Sequence, residues 1–231
     1  IRHMSPFPTQ NIAGRTVFRY SERGMAWSTG NSLGIQHIYP AGAIGPDSSP
    51  EWLAVSRNTI EVMNRWHEGG GTTSLFPAAV RVGYDAAVIL QKLGALIGKG
   101  IHRVNGLPGA GGGAIEDSST VPNTINEMMC MSHRQVLRIF PVWPRERDAR
   151  FAWLRQEGAF LVAAEVRRGV VRYVRITSEK GRDCTIVNPW PGRGVDVYRC
   201  SRKVASMKGD RFVLKTEPGA TYRLRLSVGS H

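Results

Sequence analysis

Cysteine is nearly absent from this chain, and what there is cannot staple it. Cys130, Cys184 and Cys200 form an odd set with no Cys-x-x-Cys pair, which excludes a disulfide framework and a zinc ribbon. They read as buried free thiols, in a helix and two strands, with a Cys184–Cys200 pairing left open. No His and Cys residues stand at metal-ligand spacing, so neither a metal nor another cofactor is expected. Long apolar runs are missing too. The best, Ala86 to Ile97, is too short to span a bilayer and is interrupted by Gln91-Lys92, so no membrane partner is expected. The start, Ile1-Arg2-His3-Met4, lacks the apolar core of a secretory signal. It reads as a remnant before Met4 and leaves the compartment open. Gly-x-Ser-x-Gly is absent, as is any legible Ser-His-Asp or Cys-His arrangement. The glycine-rich run Gly106 to Gly113 lacks the Lys-Ser/Thr pair of a phosphate loop.

Acidic residues are scarce: 18 Asp and Glu face 31 Lys and Arg in 231 residues, a net charge of +13. The imbalance is local. Residues 1–133 carry +1 and residues 134–231 carry +12. Such a field invites a nucleic-acid reading. Against it, the arginines alternate with apolar residues along strands, and aromatics are not interleaved with them as a stacking platform needs. A solvated strand face, its Arg stems covering apolar surface, accounts for the pattern.

Taken in order, residues 5–33 are polar and glycine-rich and predict an irregular lead-in. Gly34 to Pro40 is a short apolar segment. Ser49-Pro50-Glu51 is a helix start, with cap, proline and first-turn acid in place. Trp52, Leu53, Ile60, Met63 and Trp66 give that helix one apolar face, and Gly69-Gly70-Gly71 should end it. A second helix is expected over Tyr84–Ile97, after a short turn or helix at Phe76–Val80. Past His133 the hydrophobic period changes from 3.6 to 2. Strands are expected at 135–142, 160–166, 170–177, 183–188, 195–199, 203–207, 211–215 and 221–226. Arg167-Arg168-Gly169 is a hairpin turn between two of them. The chain is therefore α+β, with a helical part over 1–133 and an antiparallel β-sandwich over 134–231.

The loop 104–121 joins these regimes and presents two adjacent carboxylates, Glu116 and Asp117, before a helix opened by Pro122. A carboxylate at a loop-to-helix junction can be held rigidly and still be reached by a ligand. Glu127, at mid-helix, reads as structural. His133, at the expected end of that helix, suits the dipole. His37, beside Tyr39, reads as a packed ring or a pocket wall.

With the residues laid out, the chain resembles the C-terminal part of glycoside hydrolase family 95. The carriers are Gly34-Ile35-Gln36-His37-Ile38-Tyr39-Pro40, the stretch from Gly113-Ala114-Ile115-Glu116-Asp117-Ser118 through Asn126-Glu127-Met128-Met129, Ser132-His133 and Phe140-Pro141-Val142-Trp143-Pro144. Leu154-Arg155 and Gly158-Ala159-Phe160 continue them. The resemblance implies the last helices of an (α/α)6 barrel followed by the β-sandwich, and inverting hydrolysis of a carbohydrate substrate. It places Glu116 where the family has its catalytic Asp, and Ser118 where an Asn helps activate water. Asn123 and His37 are the further substrate-binding candidates. Nothing matches the family's general acid. The fucosidases' His-x-His-x-x-His pattern is replaced by Thr29 to Gly34, without histidine, which separates this chain from their sugar contacts. Relatives of this kind are often periplasmic or secreted.

Two functions follow as expectations. One is an inverting glycosidase, or a truncated fragment of one, whose uncovered helix faces would favour a homo-oligomer. The other is a non-catalytic module that holds a carbohydrate or polyanion on the basic sandwich. A self-sufficient hydrolase with Asp117 or Glu127 as the acid is a third and weaker arrangement.

Overall fold

Ser49 caps helix α1 (Pro50–Met63), its hydroxyl accepting from the Trp52 N–H at 3.3 Å. That contact satisfies one of the donors a helix start leaves unpaired. The helix stops at Asn64, which takes φ 47° and returns its N–H to the Ile60 carbonyl, ahead of the glycine stop expected at 69–71. The computed structural model describes residues 7–23, 33–66, 75–98 and 119–227. Glycines 69–71 and the loop 104–118 lie outside them. The chain divides into two compact units, 1–127 and 128–231.

In the first unit the expected irregular lead-in is instead a hairpin, β1 (Thr9–Ile12) with β2 (Arg15–Phe18). Ala13 and Gly14 both take positive φ, 50° and 78°, the backbone of a two-residue turn whose twist matches paired strands. The hairpin is tied along α1: Phe18 N donates to Thr59 Oγ1 at 3.0 Å and Asn58 Nδ2 to the Thr16 carbonyl at 3.2 Å. Its strands have four residues each and are mostly polar, too short for alternation to show. A 3-10 turn, Leu33–Ile35, opens the apolar segment. Helix α2 (Leu75–Arg81) buries every residue from Leu75 to Val80. Helix α3 (Ala86–Gly98) buries Ile89, Leu93 and Leu96, and α4 (Thr120–Met129) buries Thr120, Thr124 and Met128. The four helices among the described residues close no barrel. The fold is mixed α+β, and these elements do not identify the helices as part of an (α/α)6 barrel.

In the second unit the chain turns to strand at β3 (Cys130–His133), so His133 is in a strand and not at a helix end. β4 (Val136–Ile139), β8 (Cys184–Val187) and β11 (Arg211–Leu214) complete a four-stranded sheet ordered β11-β8-β4-β3. The larger sheet runs β10-β9-β12-β7-β6-β5. Its strands are β5 (Ala149–Gln156), β6 (Phe160–Arg167), β7 (Val170–Ser178), β9 (Val195–Arg199), β10 (Arg202–Met207) and β12 (Thr221–Leu226). One core holds residues of both sheets, Val162, Ile176 and Leu224 with Leu137, Ile186 and Phe212, which is the two-layer logic of a sandwich. Not every pair is antiparallel: β4 and β8 run parallel. The strand β5 was not expected. A bulge between Phe151 and Leu154, with Trp153 at φ 63°, breaks its alternation. The expected turn at Arg168-Gly169 is present, with φ 50° and 72°. All three cysteines are free. Cys130 and Cys184 are buried in strands, and burial pushes the Cys184 thiol up to about 12. Cys200 is exposed at a turn and bonded to no partner sulfur.

Candidate functional site

Two stretches that carry the family resemblance meet in the first unit. Asn123, in the first turn of α4, donates its amide Nδ2 to the Tyr39 hydroxyl across 84 positions of sequence. The Arg81 guanidinium, at the end of α2, lies over the Tyr39 ring, 4.6 Å from its centroid. The same guanidinium reaches Glu127 with two nitrogens, Nε to Oε2 at 3.3 Å and an NH2 to Oε1 at 3.2 Å. The two side chains keep 11% and 15% of their exposure. A planar fork that stacks on one face and pairs through its edge is what arginine offers and lysine does not. Glu127 has both oxygens engaged there, so it serves to fix Arg81 beneath Tyr39.

His37 is enclosed by rings. Phe7 stacks on it at 4.6 Å and Phe18 meets it edge-on at 4.2 Å. Its Nε2 is buried without a hydrogen-bond partner among the described residues, and burial pushes its pKa down to about 4. The imidazole is thus a neutral packing ring at pH 7. Glu116, Asp117 and Ser118 lie outside the described residues. Of the four site residues expected from sequence, two are thus placed: Asn123 bonded to Tyr39, and His37 packed among Phe7 and Phe18. Tyr39 was in the resemblance segment but not singled out. Arg81 carried no sequence signal, because its partners come from other elements. Among the described residues no group of three His, Cys, Asp or Glu could hold a metal ion. No described helix is long and apolar enough to cross a membrane.

The second unit presents a different surface. On β12 the exposed Thr221, Arg223 and Arg225 alternate with the buried Tyr222 and Leu224. Register sets Arg223 beside Arg175 of β7 and Tyr198 of β9. The Arg175, Arg223 and Arg225 guanidinia lie over Trp153, Tyr173 and Tyr198, at 4.6, 5.0 and 5.9 Å from the ring centroids. All three are within cation–π range. The aromatic interleaving missing from the sequence is therefore present across strands. A shallow groove of about 190 Å³ opens at one end of this face, lined by Tyr198, Cys200, Ser201, Thr221, Arg223 and Arg225.

No family model and no curated protein matches the chain. Among solved structures it is similar to a GH127 beta-L-arabinofuranosidase from Geobacillus Stearothermophilus T6, with 12% sequence identity and a TM-score of 0.27. The match covers 76% of this chain and 30% of that one. A likeness at that level assigns neither family nor activity.

Proposed function

We propose that this chain acts on carbohydrate as an inverting glycoside hydrolase, with Glu116 as the general base. The observation that supports the reading is the Asn123–Tyr39 hydrogen bond, which joins two distant stretches of the family resemblance in one unit. In the reaction, Glu116 takes a proton from water as the water oxygen bonds to the anomeric carbon. The glycosidic bond breaks on the opposite face, and its oxygen is protonated by a general acid. Inverting chemistry sets the two carboxyl groups roughly 6.5–9.5 Å apart, to leave room for the water. Ser118 and Asn123 are proposed to hold the water and the sugar. Asn123 has its amide nitrogen committed to Tyr39, and its carbonyl oxygen makes no hydrogen bond among the described residues. His37 serves this reading as a packed ring two residues before Tyr39, and Glu127 through its hold on Arg81.

The acid is not assigned to a residue, so the test is built to need little from it. Aryl glycosides with acidic phenol leaving groups depart with little protonation, which exposes the contribution of the base. A panel of such substrates is expected to show turnover that falls by about 10²–10⁴-fold in Glu116→Gln. Undiminished turnover in the variant would remove Glu116 as base. No turnover of any sugar in the unaltered chain would overturn the catalytic reading itself.

A further inference from the structure

We infer that the outer face of the six-stranded sheet binds an anionic polysaccharide, through carboxylates on its sugars. Arg175, Arg223 and Arg225 make no ion pair among the described residues. Acids of the same sheet are taken by other cations: Glu165 by Arg167, Glu179, just past β7, by Arg155, and Asp196, the cross-strand neighbour of Arg225, by Lys203. The Arg175 Nε is buried and has no hydrogen-bond partner, a donor already desolvated and unspent. Each of the three guanidinia lies over an aromatic ring, and stacking of this kind restrains the planar group. That is the preorganised fork for a carboxylate, held at little further cost in side-chain entropy.

The positions repeat at the spacing of the sheet. Arg223 and Arg175 are cross-strand neighbours, on strands about 4.8 Å apart, and Arg225 follows two residues along β12. A row of fixed cations calls for a polymer that repeats its anions, not for one small acid. The hydroxyl pair Thr177–Thr221, 2.8 Å apart on the same face, adds neutral polar groups suited to sugar hydroxyls. Nucleic acid fits less well. Single strands gain much of their affinity by stacking bases on open ring faces, and here each ring already carries a guanidinium. The choice of a polysaccharide rests in part on the carbohydrate reading proposed above, although the surface itself shares no residue with Glu116.

The test is calorimetric titration of the full chain with a short oligogalacturonate. A neutral maltooligosaccharide of equal length and a single-stranded oligothymidylate are the controls. The expected result is binding of the oligogalacturonate alone, weakening as salt is raised. Arg223→Gln with Arg225→Gln should weaken it by at least about tenfold, since hydrogen bonds to charged groups are being removed. The corresponding Lys pair should restore only part of the loss, because charge returns without the fork. Circular dichroism spectra matching that of the unaltered chain are the check that both variants fold. Glu116→Gln should bind as the unaltered chain does, so failure of the hydrolysis test would leave this surface standing. Equal binding of the neutral sugar, tighter binding of the oligothymidylate, no binding at all, or an unaffected Gln variant would each overturn the proposal. So would loss of binding in Glu116→Gln, which would put the uronate at the other site.

Discussion

The imidazole of His37 gives the clearest consequence of a single side chain. Burial lowers its pKa from 6.5 to about 4, because the charged ring would lose water and gain no partner. Unfolding returns the ring to water, where it binds a proton more readily. Its contribution to stability is therefore whole above pH 6.5 and is lost as pH falls towards 4. The full difference is worth about 3 kcal/mol. His37→Phe keeps a ring among Phe7 and Phe18 and removes the titration. Urea midpoints measured between pH 7 and 4 should fall less steeply in the variant, with the variant ahead at the acid end. Parallel curves would refute the assignment. Arg81 makes the opposite case, a charge that is needed. Arg81→Ala would leave the Glu127 carboxylate at 15% exposure without its counter-ion, at a cost of about 3 kcal/mol. Arg81→Met with Glu127→Leu should recover most of it, and the difference is read from denaturant midpoints. If the single variant were no less stable than the double, the pair would not be holding the site.

Turns and strands bring in backbone constraints that no single side chain shows. Gly181 follows β7 with φ 69°, and a Cβ there would sit 2.5 Å from the Pro218 ring and 2.9 Å from its backbone nitrogen. Gly192 has nearly the same backbone, φ 71°, with nothing within 4 Å of that point. Gly192→Ala should cost only the left-handed conformation, about 1–2 kcal/mol. Gly181→Ala adds overpacking of about 1–3 kcal/mol, so thermal scans should rank it clearly lower. Equal losses would mean the Pro218 turn yields freely. This scale also explains what was legible from sequence. The Ser49-Pro50-Glu51 start and the Arg168-Gly169 hairpin are local devices, written in adjacent residues, and both are found in place. β5 was hidden because the bulge at Trp153 shifts its side chains out of period. The Arg-aromatic face was hidden for another reason, since its partners lie on different strands and meet only through register. The Tyr39–Asn123 contact spans 84 positions, and no spacing rule reaches that far.

Charge belongs to the whole molecule. Between residues 134 and 231 there are 21 Lys and Arg against 9 Asp and Glu, so most of these cations cannot be paired there. Folding brings the excess close together, and the compact state is strained by its own repulsion more than the expanded chain is. Added salt acts in two directions. It weakens exposed pairs such as Arg155–Glu179 and Arg199–Glu217, which contribute little in water. It also screens the unpaired excess, as the Debye length falls from roughly 30 Å at 0.01 M to about 10 Å at 0.1 M. The second effect should win, because it acts on a net charge of +12 across this part of the chain, and the few pairs offset little of it. The unfolding temperature is therefore expected to rise between 0.01 and 0.15 M sodium chloride. A saturating oligogalacturonate should raise it further at low salt and much less at high salt, since a ligand that binds only the folded chain stabilises it in proportion to its occupancy. An unfolding temperature that fell with added salt would show that the ion pairs outweigh the repulsion, and the excess arginines would then have no electrostatic strain for an anionic polymer to relieve.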